Sequence, residues 1–379
     1  MTGPQTGGPQ TGESRTGGSR SGGSRTGESQ ARGSQTGGLQ MSEPQMSGNV
    51  LEVSDLRVQI ASRRGLVRAV DGVSFEVPRG GALGLVGESG SGKSMTLRAV
   101  LGVLPPEAHV VSGQVRLDGT DLLTLNHASL NRIRGPKISM IFQEPMSALN
   151  PVMRVGQQIA EGPRVHLGYN RARAEERTLE LMRRVGIPDP ERRYRAYPHE
   201  FSGGMRQRVM IAIALACEPE IILCDEPTTA LDVTIQDQIL RLLAGLCRES
   251  GVSLMFVTHD LPVVAQVCQQ VAVMYGGQLV ERGDVRDVLL DPRHPYTLGL
   301  VRSAPDFEYV QDSLRPIPGS PPSLITPPPG CRFHPRCEFA EDDCRTGEVP
   351  LRILPGGRAT ACLHHERCLE ALAADRAGQ

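Results

Sequence analysis

Between residues 49 and 290 the chain alternates short apolar runs with segments of helical periodicity. Buried strands are predicted at Leu83–Val86, Ile221–Cys224 and Ser253–Val257. Helices are predicted at residues 95–104 and 234–250, the second with apolar side chains on one face and Gly251 as its stop signal. Strands that alternate with helices in this way predict an α/β fold.

The two ends of the chain follow neither pattern. Residues 1–48 repeat a five-residue unit with almost no apolar side chains, so we predict a disordered tail and suggest that translation starts at Met41 or Met46. Residues 291–379 form a predicted C-terminal extension with a cysteine cluster. Within it, Pro316–Pro329 holds seven prolines and is predicted to be an extended connector that leads into the cysteine cluster.

Composition excludes several classes of protein. A net charge of -1, an aromatic content of 3% and the absence of Trp argue against a nucleic-acid partner. No window approaches the roughly 20 apolar residues of a membrane helix, and the N-terminus lacks the pattern of a secretory signal. We therefore expect a cytoplasmic protein that associates with a membrane only through partners.

A Gly-rich loop between a predicted strand and helix carries the first chemical signal. It consists of Gly87, Glu88, Ser89, Gly90, Ser91, Gly92, Lys93 and Ser94. Backbone N–H groups of such a loop surround phosphate, Lys93 reaches the β- and γ-phosphates, and the Ser94 hydroxyl binds Mg²⁺. ATP with Mg²⁺ is the predicted ligand.

Two carboxylates follow the second predicted strand. The apolar run Ile221–Cys224 delivers Asp225 and Glu226 at its carboxyl end, where α/β proteins bind ligands. Asp225 suits the Mg²⁺ shell, and Glu226 suits the activation of an attacking water.

The order of further motifs makes the prediction specific. Residues 49–290 resemble the ABC ATPases in the Gly87–Ser94 loop, Gln143, Ser202-Gly203-Gly204, Asp225-Glu226, Ala230-Leu231-Asp232 and His259. The resemblance implies a P-loop NTPase fold with a RecA-like core, an antiparallel β subdomain and a helical subdomain at about 144–215. It also implies that Gln143 contacts Mg²⁺ and the attacking water, and that His259 contacts the γ-phosphate.

The same resemblance implies a head-to-tail dimer of ATPase domains. Ser202, Gly203 and Gly204 of one domain, together with Asp232, then belong to the nucleotide site of the other. Two positions depart from the pattern. The aromatic residue that usually stacks on adenine is absent, with Ile60 at its position, so purine stacking is expected to be weaker. Met205 stands where many signatures carry Gln.

Features beyond the core resemble the D-type subunit of dipeptide and oligopeptide importers, a family with nickel-uptake relatives. They include His294-Pro295-Tyr296-Thr297, Pro316-Ile317-Pro318-Gly319 and Cys331–Cys337. The resemblance implies two membrane permeases, an extracytoplasmic binding protein and an F-type ATPase as heterodimer partner, at the cytoplasmic face of the membrane. Import of nickel or another small solute, a soluble ABC ATPase acting on DNA or the ribosome, and a non-catalytic regulatory module remain alternatives.

The cysteines of the extension suggest a metal site. Cys331, Cys337, Cys344 and Cys362 are separated by five, six and seventeen residues, unlike the tight pairs of common zinc modules. Relatives with this extension are associated with a [4Fe–4S] centre, which we favour here. The alternatives are zinc, with His334, His364 or His365 as further ligands, and reduced structural cysteines. Cys368 is expected to be a bystander.

Overall fold

The computed structural model describes residues 48–229, 231–304 and 316–377. The predicted disordered tail lies outside this part of the chain except for Gly48. The two suggested start sites, Met41 and Met46, also lie outside it. Within it, none of the helices combines the length and the apolar character that a membrane crossing needs.

The strands form two sheets. Their bounds are β1 Asn49–Ser62, β2 Gly65–Pro78, β3 Ala82–Val86, β4 Ala108–Leu117, β5 Thr120–Asp121, β6 Ile138–Ile141, β7 Ile221–Asp225, β8 Ser253–Thr258, β9 Gln270–Tyr275, β10 Gln278–Asp284, β11 Arg352–Ile353 and β12 Ala359–Thr360. The smaller sheet is antiparallel and has the order β2-β1-β4-β5. The larger has the order β11-β12-β10-β9-β3-β8-β7-β6, and its strands from β9 to β6 are parallel.

Helices connect and cover these strands. They are α1 Lys93–Leu101, α2 His127–Ile133, α3 Pro145–Ala148, α4 Val155–His166, α5 Arg171–Arg184, α6 Pro190–Arg193, α7 Gly203–Leu215, α8 Val233–Ser250, α9 Leu261–Val267, α10 Val285–Leu290, α11 Pro295–Arg302 and α12 Glu366–Ala377. Helices α3 to α7 follow one another between β6 and β7, in the region predicted as a helical subdomain.

The predicted strands and helices are confirmed with small shifts at their ends. Every residue of β3, β7 and β8 is buried, which explains why they appear in the sequence as continuous apolar runs. Helix α8 ends at Gly251, whose φ of 66° is the left-handed conformation of a helix cap. The predicted α/β fold is therefore confirmed, and the parallel strands direct their carboxyl ends to one edge.

The extension adds strands to the larger sheet, which the sequence analysis did not predict. Strand β12 pairs with β10 through Glu281 and Thr360, and β11 pairs with β12. Arg358 also donates to the fully buried carboxylate of Glu281 at 3.0 Å. The stretch Pro316–Pro329 contains neither helix nor strand, as predicted, and runs back towards the smaller sheet, where the Arg68 N–H donates to the Leu324 carbonyl at 2.9 Å.

Candidate nucleotide-binding site

The Gly-rich loop lies between β3 and α1, at the carboxyl edge of the larger sheet. Glycine is required there by close contacts. A Cβ on Gly87 would lie 2.0 Å from the carbonyl oxygen of Met274, and one on Gly92 would lie 2.2 Å from that of Ala69. Gly92 also has a φ of 107°, which side chains rarely adopt. The loop is thus packed tightly on its protein side, and its other side faces a cavity.

Lys93 and Ser91 show how the loop is held. The Lys93 ammonium is buried and donates to the carbonyls of Gly87 at 2.6 Å and Glu88 at 3.0 Å. Burial lowers the pKa of Lys93, against the opposing effect of the nearby carboxylates. The Ser91 hydroxyl is buried without a hydrogen-bond partner among the described residues. Ser91 does not line the cavity, whereas the backbone of the loop and the buried Lys93 cation do and fit a bound polyphosphate.

Ser94 and Asp225 meet at the start of α1 although 131 residues separate them. The Ser94 hydroxyl donates to the Asp225 carboxylate at 2.8 Å. Burial raises the pKa of Asp225, and the Ser94 hydrogen bond opposes that shift. A hydroxyl and a carboxylate side by side are oxygen ligands of the type that Mg²⁺ prefers.

Glu226 contacts the other two predicted catalytic residues, Gln143 and His259. Its Oε2 accepts from the Gln143 amide at 3.3 Å and lies 3.2 Å from His259 Nδ1. Thr229 donates to the same oxygen at 3.1 Å. The backbone of Glu226 has a φ of 45°, an uncommon conformation that is found at functional sites. The side chain is 14% exposed, so its carboxylate is accessible from the cavity.

A cavity of about 880 Å³ joins these groups. The residues predicted from the sequence that line this cavity are Ile60, Glu88, Ser89, Gly90, Gly92, Lys93, Ser94, Gln143, Glu226 and His259. The extension, which the sequence analysis did not assign to this site, contributes Leu300, Ser303, Pro316, Ile317 and Leu324. Val67 and Ala69 of β2 complete the apolar end next to Ile60. The sequence marked Pro316 and Ile317 only as part of a family motif and gave none of these extension residues a place at the nucleotide, because that place depends on a chain reversal over a long distance.

The signature residues lie elsewhere in this chain. Ser202 begins α7, and its hydroxyl accepts from the Met205 N–H at 3.4 Å. Ser202 and Gly203 are exposed, and neither they nor Gly204 line the cavity. Asp232 caps α8 by accepting from the Ile235 N–H at 3.0 Å and is exposed as well. The structure does not bring these residues to the site of their own chain, and Ala230 lies outside the described residues.

The four predicted cysteine ligands line one small cavity of about 20 Å³ in the extension, with His294, His334 and His364 at its edge. That volume suits one water-sized occupant. Burial raises the pKa of all four thiols, to about 11 for Cys337 and about 12 for Cys362. Without a cation they remain neutral thiols. Of the described residues, Asp343, Cys344 and His364 form a group whose potential ligand atoms all lie within 4.8 Å.

Two family profiles match the chain. Residues 70–229 match the family described as ABC transporter. Residues 280–344 match the family described as the C-terminal region of oligopeptide/dipeptide transporters. The first match contains the Gly-rich loop and both carboxylates, and the second contains the first three cysteines of the cluster.

Curated relatives match over nearly their whole length. A "Probable peptide ABC transporter ATP-binding protein" of Sinorhizobium fredii is 50% identical over 83% of this chain and 94% of its own. The oligopeptide transport ATP-binding protein OppD of Salmonella typhimurium is 46% identical over 83% and 93%. The dipeptide transport ATP-binding protein DppD of Bacillus subtilis is 46% identical over 84% and 94%.

Solved structures show the same fold. The dimeric post-hydrolysis state of the ATP-binding cassette MJ0796, bound to ADP and Pi, is 26% identical with a TM-score of 0.56. It covers 62% of this chain and 99% of its own. A cbiO1 subunit from Clostridium perfringens gives a TM-score of 0.55 over 64% of this chain and 91% of its own, at 26% identity.

The predicted [4Fe–4S] cluster is contradicted. The relatives described above are named as ATP-binding proteins of peptide transport, and neither their names nor the two family descriptions designate an iron–sulfur protein. The iron–sulfur assignment of these cysteines is therefore wrong.

Proposed function

This chain belongs to the ATP-binding proteins of ABC-type oligopeptide and dipeptide transporters, and we propose that it hydrolyses ATP in the cavity described above to power peptide import. The prediction of that family from the sequence is confirmed. The convergence of Gln143, Glu226 and His259 on one side of the Gly-rich loop is the observation that carries the proposal. Peptides, rather than nickel, are the cargo named for the curated relatives.

The roles of the residues follow from their positions. Glu226 accepts the proton of the attacking water, because its carboxylate is accessible and its oxygen is oriented by hydrogen bonds from Gln143 and Thr229. His259, 54% exposed and next to Glu226, contacts the γ-phosphate. Lys93 and the N–H groups of the loop hold the phosphates.

Ser94 and Asp225 hold the Mg²⁺ that the family requires, with Gln143 as a further ligand. When bound, the ion neutralises charge that develops on the phosphates. The hydrogen bond between the partly exposed Ser94 hydroxyl and the buried Asp225 carboxylate supports this assignment. The base is held by Ile60 and Val67 together with Leu324 of the extension, which lies beside β2 and lines the same cavity.

The second half of the nucleotide site comes from another ATPase subunit. Exposure of Ser202, Gly203 and Asp232, outside the cavity of their own chain, supports a head-to-tail dimer in which they meet the nucleotide of the partner. The N-terminus of α7 then directs its positive end to the γ-phosphate. We propose an F-type subunit as this partner, so that the ATPase unit is a heterodimer.

Membership of this family implies membrane permeases and a substrate-binding protein as further partners. None of the described helices is suited to cross a membrane, which is consistent with peripheral attachment. We propose that the chain docks on the permeases at the cytoplasmic face, where ATP is available.

The test is ATP hydrolysis by the transporter assembled in vesicles, with and without peptide. Glu226→Gln is expected to abolish turnover while ATP still drives association of the two ATPase subunits. Glu249→Gln, on the exposed end of α8, is the matched control and is expected to retain the wild-type rate. Turnover near the wild-type rate in the Glu226→Gln transporter would refute the role of Glu226 as the general base.

For the cysteine pocket we propose a single zinc ion on the thiolates of Cys331, Cys337, Cys344 and Cys362. All four line one cavity, and a bound cation would reverse the effect of burial and keep the sulfurs ionised. His364 is close enough to Cys344 to replace one thiolate.

Metal analysis of the purified full chain tests this. We expect roughly one zinc per chain, lost in Cys337→Ser and retained in Cys217→Ser, whose buried thiol lies just after α7 and far along the chain from the extension. A chain without zinc, or with another metal in its place, would show that the assignment is wrong.

A further inference from the structure

The extension makes a direct contact with the phosphate-binding loop. Arg336 donates to both carboxylate oxygens of Glu88, at 2.7 Å and 3.1 Å. The two residues are 248 positions apart in the chain. The Arg336 side chain is 5% exposed and that of Glu88 is 26% exposed. A bidentate pair with this degree of burial is among the strong charge-assisted contacts in proteins.

Arg336 is itself held rigidly. Its guanidinium donates to the Tyr275 hydroxyl at 3.2 Å and to the carbonyl of Pro318 at 2.7 Å. It also lies 5.7 Å from the ring of Tyr275 and 5.8 Å from that of Phe333, within the range of cation–π contacts. The Glu88 N–H donates to the hydroxyl of Tyr296 at 2.7 Å, and the Tyr296 ring packs on those of Tyr275 and Phe333. Glu88 is therefore fixed at its backbone and at its carboxylate.

The charge of Glu88 gives this contact a consequence for binding. Glu88 lines the nucleotide cavity, where the triphosphate of ATP brings further negative charge. The ammonium of Lys93 contacts only the backbone carbonyl of Glu88 and leaves its carboxylate to Arg336. An unpaired Glu88 carboxylate in this partly buried site would repel the phosphates. A carboxylate that is paired with a cation repels them far less.

We infer that Arg336 of the extension is a positioning residue for ATP: it fixes the Gly-rich loop through Glu88 and cancels a carboxylate charge that would otherwise repel the phosphates. The inference rests on the proposed ATP site. It gives the extension a role in nucleotide affinity, separate from its cysteine pocket.

Binding of a fluorescent ATP analogue to the full chain, with Mg²⁺, tests this role. Arg336→Gln is expected to weaken binding roughly tenfold, the effect of one buried charge contact. Adding Glu88→Gln to Arg336→Gln is expected to restore affinity to within about threefold of wild type, because the repelling charge is then gone. Arg345→Gln, an exposed arginine of the same extension, is the control and should bind like wild type.

The rescue distinguishes a charge effect from a purely structural one. Weak binding that persists in the double variant, or wild-type affinity in Arg336→Gln alone, would overturn the inference. If Arg336→Gln lowers the melting temperature enough to unfold the chain, Arg336→Lys replaces it. Lysine keeps only a single contact with Glu88, so the affinity for the ATP analogue should fall about threefold, and adding Glu88→Gln should restore it. An unchanged affinity in Arg336→Lys, or a loss that Glu88→Gln does not restore, would overturn the inference. Absence of binding by the wild-type chain would refute the proposed ATP site itself.

Discussion

The nucleotide cavity has two ends that are built in different ways. The phosphate end consists of consecutive residues, from Gly87 to Ser94, on a loop that β3 and α1 fix in place. The proposed base end combines Ile60 and Val67 of the β1–β2 hairpin with Leu324 of the extension, so it forms only when distant parts of the chain meet. In the proposed function, a local motif and a tertiary surface hold one ligand together.

Substitution at the phosphate end should have the largest effect. Lys93→Ala removes a buried cation that holds the loop and reaches the phosphates, so ATP affinity is expected to fall roughly 100-fold. Titration of the full chain with ATP measures this. The control is Lys137→Ala, which removes an ammonium paired with Asp118 and Glu220 just before β6, at the other edge of the sheet. Equal affinity of both variants would contradict the phosphate role of Lys93.

The metal-binding pair should come next. Asp225→Asn removes a charged ligand but keeps the contact distance to Ser94, so the Mg²⁺ concentration for half-maximal hydrolysis is expected to rise roughly tenfold. The assay is ATP hydrolysis by the assembled transporter across a Mg²⁺ series. Asp237→Asn, which affects an exposed pair with Arg241 on α8, should leave the Mg²⁺ dependence unchanged. An unshifted Mg²⁺ curve for Asp225→Asn would exclude Asp225 as a ligand.

A smaller effect is expected at the base end. Leu324→Ala reduces the apolar surface on one side of the base and should weaken ATP binding roughly fivefold, while binding of inorganic triphosphate stays unchanged. Competition of the two ligands in one assay separates the two ends of the cavity. The control is Leu66→Ala. Leu66 is an exposed leucine of the β1–β2 hairpin that does not line the cavity, so the affinity for both ligands should stay unchanged. Equal losses for both ligands would mean that Leu324 acts on the fold rather than the base.

The choice of base should show the smallest effect. The surface proposed for the base is aliphatic, from Ile60, Val67 and Leu324, and such a surface does not distinguish the exocyclic groups of purines strongly. GTP is therefore expected to compete with ATP with an affinity within about tenfold. A preference for ATP of a thousandfold or more in the competition assay would point to a polar contact with adenine instead.

The same contrast explains what the sequence predicted. The loop, the strand before Asp225 and Glu226, and α8 with its Gly251 cap are local patterns, and each was predicted close to its observed bounds. Ile60 lines the cavity, and its contact with the base stays a prediction from the family resemblance. That Glu226 lies next to Gln143 and His259 could be predicted only through the resemblance, because the three residues follow three different strands.

Other features had no sequence signal. The pairing of β12 with β10, the wall formed by Leu324, and the contact of Arg336 with Glu88 all depend on how the extension folds back over the core. No periodicity or spacing encodes the end point of a proline-rich connector. The iron–sulfur prediction failed for a related reason, since four cysteines with irregular gaps do not specify which group they hold.

The most direct test of the composite cavity is photolabelling of the full chain with 8-azido-ATP, followed by peptide mapping. The reactive group is on the base, so it marks the residues around that end of the nucleotide. Labels are predicted both on residues 60–69 of the hairpin and on residues 316–324 of the extension, and excess ATP should suppress them. Labels on the hairpin without any on the extension would contradict a nucleotide site shared between the two.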